Sequence, residues 1–353
     1  MLLPTAISAV FVTLYSVSTA GLQLACSIIH PLPIPTERYM WTPMDSPPSR
    51  QENLEEVCII ASAALNNTDT KVTFPSQQAI ELFHPTIPYL GPHLFGQLGP
   101  VTTSLELRRG NVTELLYGQS TLKHLKLSDT GLNHFDVLPQ YDFPLQTLVI
   151  HERLITVLPS HVNILTGLKL LDLSGCSLTT VDLSRLDGLH SLLSLNLADN
   201  QLSTVEGEAD LPALAKIDVR QNELSRIDRF PDMFPALRYA RIMQNRWDCE
   251  WVSEARAKFW HRNITVLGTD FHCGRRINNG GLCCTYSHPA RARLGIAKAV
   301  LSVLEELGPN RGDVQSMDPL ITFKVFENET VEAVVGVETE NVGIYLHDPI
   351  GAA

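Results

Sequence analysis

Past residue 29, the 353-residue chain has no stretch that stays apolar for the 18 or so residues a membrane span needs. The closing IYLHDPIGAA is too short and too polar for a lipid-anchor signal, so no stable membrane anchor is expected. Positive charge is also scarce. Lys and Arg number 27 against 38 Asp and Glu, a formal net charge of −11, which argues against nucleic acid as the main ligand. No G-x-S-x-G, H-E-x-x-H or phosphate-cradling glycine loop occurs. The 12 histidines scatter without ligand spacing, and no C-x₂₋₄-C zinc pattern is present. Nothing here asks for a catalytic centre, a metal or a cofactor.

Charge is missing altogether from residues 1–29, where LLPTAISAVFVTLYSVSTA is apolar enough to enter a translocon. Ser18 and Ala20 form an A-x-A-like cleavage site before Gly21, so residues 1–20 read as a signal peptide. An uncleaved signal anchor is the alternative, since no Lys or Arg precedes the apolar run. Four N-x-T acceptors, at Asn66, Asn111, Asn263 and Asn328, fit the same secreted, extracellular destination. Seven cysteines in an exported chain imply a disulfide framework with one thiol over.

A repeat is what the chain has in abundance. The pattern L-x-x-L-x-L-x-x-N/C-x-L is clearest in LKLLDLSGCSL (168–178), LLSLNLADNQL (192–202) and LAKIDVRQNEL (214–224). Looser copies place the second anchor of each unit at Ile80, Leu105, Leu125, Leu148, Leu171, Leu195, Ile217 and Ala240. Both residues of each L-x-L point to one side of a short strand, and one unit cannot bury its apolar side alone. Neighbouring units must stack. The expected fold is therefore an α/β repeat: a leucine-rich-repeat solenoid with a curved parallel sheet, disulfide-closed caps, a short C-terminal helix and a strand-like tail. Cys176 sits at an N/C position, where a free buried thiol is an ordinary occupant.

Caps should close both ends of the stack. A proline-rich segment and N-terminal cap are expected over 21–75, with Cys26 and Cys58 available to bridge it, and repeats over 76–247. A C-terminal cysteine cap is expected over 248–287. Within it NRWDCEWVSEARAKFW (245–260) has apolar residues at helical spacing: Trp251, Val252, Ala255, Phe259 and Trp260. Cys283 and Cys284 are adjacent, and neighbouring Cα atoms about 3.8 Å apart are too close for an unstrained disulfide. Each should instead bond one of Cys249 and Cys273, in either combination. Residues 288–308 read as one amphipathic helix, started at Pro289 and ended at Gly308-Pro309, too short for a coiled coil. An acidic, strand-like tail follows over 309–353.

The combination Asn245, Trp247, Cys249, a later single Cys273, then Gly281–Cys284 with PARARL (289–294) after it resembles the leucine-rich immune molecules of mosquitoes. The likeness covers roughly residues 1–295. It implies secretion into haemolymph and a role in innate defence, where relatives assist complement-like thioester proteins. Better-known relatives continue into long coiled coils and pair covalently with a second repeat chain. This chain resembles coil-less members, so a monomer or weak dimer is expected.

Side chains beside the strand leucines should line the concave face, where such repeats bind partners. The middle column reads Glu81, Glu106, Lys126, Val149, Asp172, Asn196, Asp218, Arg241, flanked by Arg108, His124, His151, Lys216, Arg220 and Tyr239. Mixed signs favour a protein partner over an anionic polymer. Contacts are expected at Lys126, His151, Asp172, Asn196, Asp218, Arg220, Tyr239 and Arg241. The expected function is a secreted recognition or adaptor module of innate immunity, not an enzyme. Its partner would be a complement-like thioester protein or another leucine-rich-repeat chain. An adhesion or receptor-ectodomain role, read through Arg311-Gly312-Asp313, is the alternative.

Overall fold

The computed structural model describes residues 16–18, 21–29, 56–65, 71–139, 143–286, 320–325 and 331–336. Chain contacts divide it into two units, Met1–Ile242 with Lys258–Leu267, and Met243–Ala257 with Gly268–Ala353.

The first unit is built on an 11-stranded sheet. Every strand but one is parallel to its neighbour, and the strands follow one another in chain order. All eight anchors occupy one column: Ile80 pairs with Leu105, then Leu125, Leu148, Leu171, Leu195, Ile217 and Ala240. The physical reason is the two-residue period of a strand. A slip of one residue would turn every leucine out to solvent. The anchors are at most 3% exposed, and so are the second leucines, Leu107, Leu127, Leu173 and Leu197.

The ladder continues past the expected 76–247. Strand Val57–Ala61 puts Cys58 in register with Ile80, and Thr265–Val266 puts Val266 beside Ala240. Ser27–Ile29 then closes one edge antiparallel to Val57–Ala61. Of the expected signal peptide, Ser16–Ser18 is described. It is a strand antiparallel to Gly21–Gln23, and cleavage after Ala20 would remove it.

The turn after each strand also repeats. The residue four past the anchor is left-handed at Ser62, His84, Arg109, Asp129, Gly175, Asp199, Gln221 and Gln244. Only one of these is glycine, so the tertiary ladder imposes a backbone most of these residues disfavour. Asparagine then ties the turn down. Asn200 Nδ2 donates toward the carbonyls of Leu173, Leu197 and Ala198, and its Oδ1 accepts from the Leu178 N–H. Asn222 repeats the arrangement one unit on, with Leu197, Val219, Arg220 and Leu202. At Cys176 the thiol donates to the Ile150 carbonyl at 3.2 Å; it is free and buried, and burial pushes it up to about 11. The unit at Leu148 departs from the pattern. There Glu152, 2% exposed, accepts from Thr130 N–H, Thr130 Oγ1 and Gly131 N–H of the preceding turn.

On the other side of the leucine layer, short parallel strands form second ladders. One joins Tyr89–Leu90, Glu114–Tyr117 and His134–Val137; another joins Thr180–Asp182 and Thr204–Glu206. Aromatic rings fill the wider layers, with Tyr117 edge-on to Phe95 at 5.0 Å and Phe230 edge-on to Phe259 at 5.7 Å.

The second unit is held by cystines. Cys249 is bonded to Cys284 and Cys273 to Cys283, which resolves the pairing left open by the sequence; in the first unit Cys26 is bonded to Cys58. Strand Leu282–Thr285 lies between Trp247–Asp248, parallel, and Ile277–Asn279, antiparallel. Asp270 clamps this unit, accepting from Gln244 N–H at 2.8 Å and Cys283 N–H at 2.7 Å. Trp247 stacks on Trp251 with centroids 4.2 Å apart. Gly280 is left-handed, and a Cβ there would strike the Arg256 guanidinium.

Helix Cys249–His261 buries Trp251, Val252, Ala255 and Phe259. Trp260, expected on the same stripe, is 82% exposed. At 3.6 residues per turn it projects about 80° beyond the edge of that stripe. Strands Leu320–Val325 and Val331–Gly336 pair antiparallel in the tail. The expected helix over 288–308, the proline-rich 30–50 and Arg311-Gly312-Asp313 lie outside the described residues. Among those described, no helix is long and apolar enough to cross a membrane.

Candidate functional site

The parallel sheet turns one side to the leucine core and displays the expected columns on the other. Three groups form along that face. In the first, Arg108 Nη1 lies 3.2 Å from Glu81 Oε1, Arg108 Nε 3.5 Å from Glu106 Oε1, and Lys126 Nζ 2.8 Å from the same Glu106 oxygen. Glu81 and Glu106 face each other in register. Burial and then Glu106 raise the Glu81 carboxyl above its ordinary range, with Arg108 offsetting part of the rise. Lys126 is thus committed to a neighbour.

The second group joins His151, Asp172, Ser174 and Asn196. His151 Nε2 lies 3.3 Å from Asp172 Oδ1 and 3.2 Å from Ser174 Oγ. Asn196 Nδ2 donates to Asp172 Oδ2 at 3.0 Å. Burial pushes the Asp172 carboxyl up, but the bonds from His151 and Ser174 outweigh it and leave the group below its usual range. A serine, a histidine and an aspartate within reach suggest acyl-transfer chemistry, but the geometry is wrong for it. Serine and aspartate share one ring nitrogen, so no proton path runs from Ser174 through the imidazole to the carboxylate. The group is a polar network that fixes side chains.

The third group joins Lys216, Asp218, Arg220, Tyr239 and Arg241. Lys216 Nζ sits 5.9 Å from the centre of the Tyr239 ring. Arg220 Nε is 3.5 Å and Arg241 Nη1 3.8 Å from Asp218 Oδ2. Here one expectation needs correction. Asp218 was placed on the contact surface, yet its side chain is 0% exposed, with the two guanidiniums at ion-pair distance. A partner can meet Arg220 and Tyr239, which are partly exposed, but not Asp218 itself. Burial pushes this carboxyl up to about 6, against the pull of the Arg220 N–H and of both arginine charges.

Sequence reading also missed Ser174 and the buried Glu152. The signal for Ser174 was present, because it follows the anchor Leu171 by three residues as His151 follows Leu148; only the pairing of those anchors makes the adjacency visible. Asn111 and Asn263 are both exposed, as a glycan would require; Asn66 and Asn328 lie outside the described residues. Among the described residues no group of three or more His, Cys, Asp or Glu is placed to hold a metal ion.

Comparison with known proteins places the middle of the chain in a family model, Leucine rich repeat, matched over residues 166–224. No curated protein matches the chain. Among solved structures it is similar to the LRIM1/APL1C complex at 15% identity and a TM-score of 0.43, covering 68% of this chain and 54% of that one. It is also similar to the LRIM1 leucine-rich repeat domain, with 16% identity, a TM-score of 0.42, and 65% and 79% of the two chains covered. A leucine-rich-repeat protein of Leptospira interrogans aligns at 19% identity and a TM-score of 0.40, over 55% and 49%. The chain therefore spans about half the length of the first of these. Together with the in-register ladder, the family match over residues 166–224 defines the architecture as the leucine-rich-repeat fold.

Proposed function

We propose that the chain is a secreted protein-binding module of innate immunity that engages its partner through the open face of the parallel sheet. The observation that carries this reading is the row of half-exposed polar side chains held in register at the strand spacing, about 4.8 Å. Ion pairs and hydrogen bonds within each group fix these side chains before any partner arrives, so binding loses little entropy to ordering them. Three disulfides and the uncharged N-terminal segment support the extracellular setting. The double-cysteine motif at Gly281–Cys284 supports the immune role by its resemblance to the mosquito molecules. On that resemblance the partner is a complement-like thioester protein or another leucine-rich-repeat chain.

The test is site-specific photo-cross-linking in haemolymph, with the captured protein identified by mass spectrometry. Probes at Asn196 and Tyr239 should capture the same protein, whereas probes at Glu114 and Thr180, exposed on the opposite ladders, should not. Tyr239→Ala should weaken that complex by about 1–3 kcal/mol with secretion unchanged. Cross-links confined to the opposite ladders would defeat the reading. Capture of a cell-surface receptor instead would favour the adhesion role.

A further inference from the structure

Three successive units carry Asp172, Asn196 and Asp218 at the same position, one residue past the buried anchor. In each, a side-chain oxygen accepts the backbone N–H two residues on: Ser174 at 2.9 Å, Ala198 at 3.1 Å and Arg220 at 3.1 Å. Asn196 does this without a charge, so the turn needs an oxygen and not a carboxylate. The charge of Asp172 has local use, because His151 and Asn196 meet its two oxygens. Asp218 is different. Its Oδ2 is buried and accepts no hydrogen bond, and the adjacent Arg220 Nε is buried and donates none. A carboxylate and a guanidinium thus lie beside each other, short of the bond that burial normally demands.

The surroundings say what would complete them. The units of Ile217 and Ala240 bring Lys216, Arg220 and Arg241 around Asp218, which is sealed from solvent, and Asp199 of the preceding unit is the other carboxylate that acts on it. The first group on the same face is balanced, with Glu81 and Glu106 against Arg108 and Lys126. Positive charge is therefore concentrated at one end of the row, beside the ring of Tyr239. Arginine meets carboxylates through paired N–H donors, which gives both strength and orientation.

We propose that Lys216, Arg220, Tyr239 and Arg241 form the docking site for a carboxylate-rich segment of a protein partner, with Asp218 as the internal counter-ion of the two guanidiniums. The assignment rests on the sheet face being the binding face. An incoming carboxylate takes over the role of Asp218, whose own charge then becomes unfavourable. The charged groups around Asp218 are Arg220 on its own segment, Arg241 on the next strand and Asp199 after the preceding one, which adds to the upward shift; Asn196 on that preceding strand is neutral. Docking an acidic segment therefore draws a proton onto Asp218 and strengthens as pH falls from neutral toward 6.

The experiment is fluorescence anisotropy of the full chain with a short labelled peptide of Glu, Asp and Tyr, against the same peptide carrying Gln and Asn. The acidic peptide should bind in a salt-sensitive way and the amide peptide should not. R220Q and R241Q should each weaken binding about tenfold. D218N keeps the turn, as Asn196 shows, and should bind several-fold more tightly at neutral pH with the pH dependence lost. Arginine variants that bind like the parent protein, or D218N that binds more weakly, would overturn the assignment. A sulfated polysaccharide that outcompetes the peptide by a wide margin would do the same. If the peptide fails while Tyr239→Ala or His151→Ala still releases the native partner, this assignment falls and the binding face stands.

Discussion

Asn200, Asn222 and Cys176 occupy the same step of the repeat but not with the same force. Each asparagine reaches three carbonyls and accepts one N–H in the interior, whereas the thiol makes a single weak bond to Ile150. Removing Asn200 or Asn222 takes away the acceptor of the buried Leu178 or Leu202 N–H as well as the donor to the carbonyls, at about 1–3 kcal/mol for a buried group left unpaired. Asn200→Ala and Asn222→Ala should therefore lower stability in urea far more than Cys176→Ala, which should cost about 1 kcal/mol or less. Equal losses would mean that the backbone, not the side chain, holds these turns. Asp218 gives the opposite sign. Its folded pKa of about 6 lies above the ordinary carboxyl value of 3.8, so between those limits the folded state holds more protons than the unfolded. Stability from this group falls as pH rises through that window. Asp218→Asn should be more stable than the parent at neutral pH by about 3 kcal/mol, a gain that shrinks toward pH 4, as thermal melts across pH would show.

The strands were open to reading because L-x-L is both a strand signal and a burial signal, and the spacing of 20–25 residues fixed the register by repetition. All eight anchors fall in one column for that reason. The added strands at Cys58 and Val266 were not open to it, since neither carries the leucine–asparagine frame and each is recruited by the ladder edge beside it. Nor could adjacency in sequence decide the cystines. Strand Leu282–Thr285 points Cys283 and Cys284 to opposite sides, so each can reach a different partner, and the alternation of side chains rules out their sharing one. The two bridges close loops of unequal length, with separations of 35 for Cys249–Cys284 and 10 for Cys273–Cys283. In the chain-entropy account the longer loop contributes about 3.8 kcal/mol and the shorter about 2.7 kcal/mol. The double serine variant of Cys249 and Cys284 should therefore be secreted less well than that of Cys273 and Cys283. The reverse order would point to the clamp at Asp270, rather than loop closure, as what the bridges protect.

Across the whole repeat unit, each strand touches only the one before and the one after, which makes stability a chain of local terms. The face inherits the same order: its three groups are separate clusters of side chains, each confined to adjacent strands. That is why the columns could be listed from sequence, while Asp218, sealed between two arginines, could not be recognised as buried until the strands were laid side by side. The one-dimensional build can be tested by comparing pairs of cavities. Leu125→Ala, Leu171→Ala and Leu195→Ala each remove a fully buried side chain and should each cost about 2–5 kcal/mol. Leu125 and Leu195 belong to units separated by those of Leu148 and Leu171, so their effects should add within about 0.5 kcal/mol. Leu171 and Leu195 are paired in register and share one packed layer. Their double variant should depart from additivity by about 0.5–3 kcal/mol, because the second cavity opens into a layer that the first has already loosened. Hydrogen exchange would show the same thing spatially, with Leu125→Ala raising exchange over the neighbouring strands and leaving the amides near Ile217 protected. If the distant pair couples as strongly as the adjacent one, the unit unfolds as a single cooperative block and the sum of local terms is the wrong description.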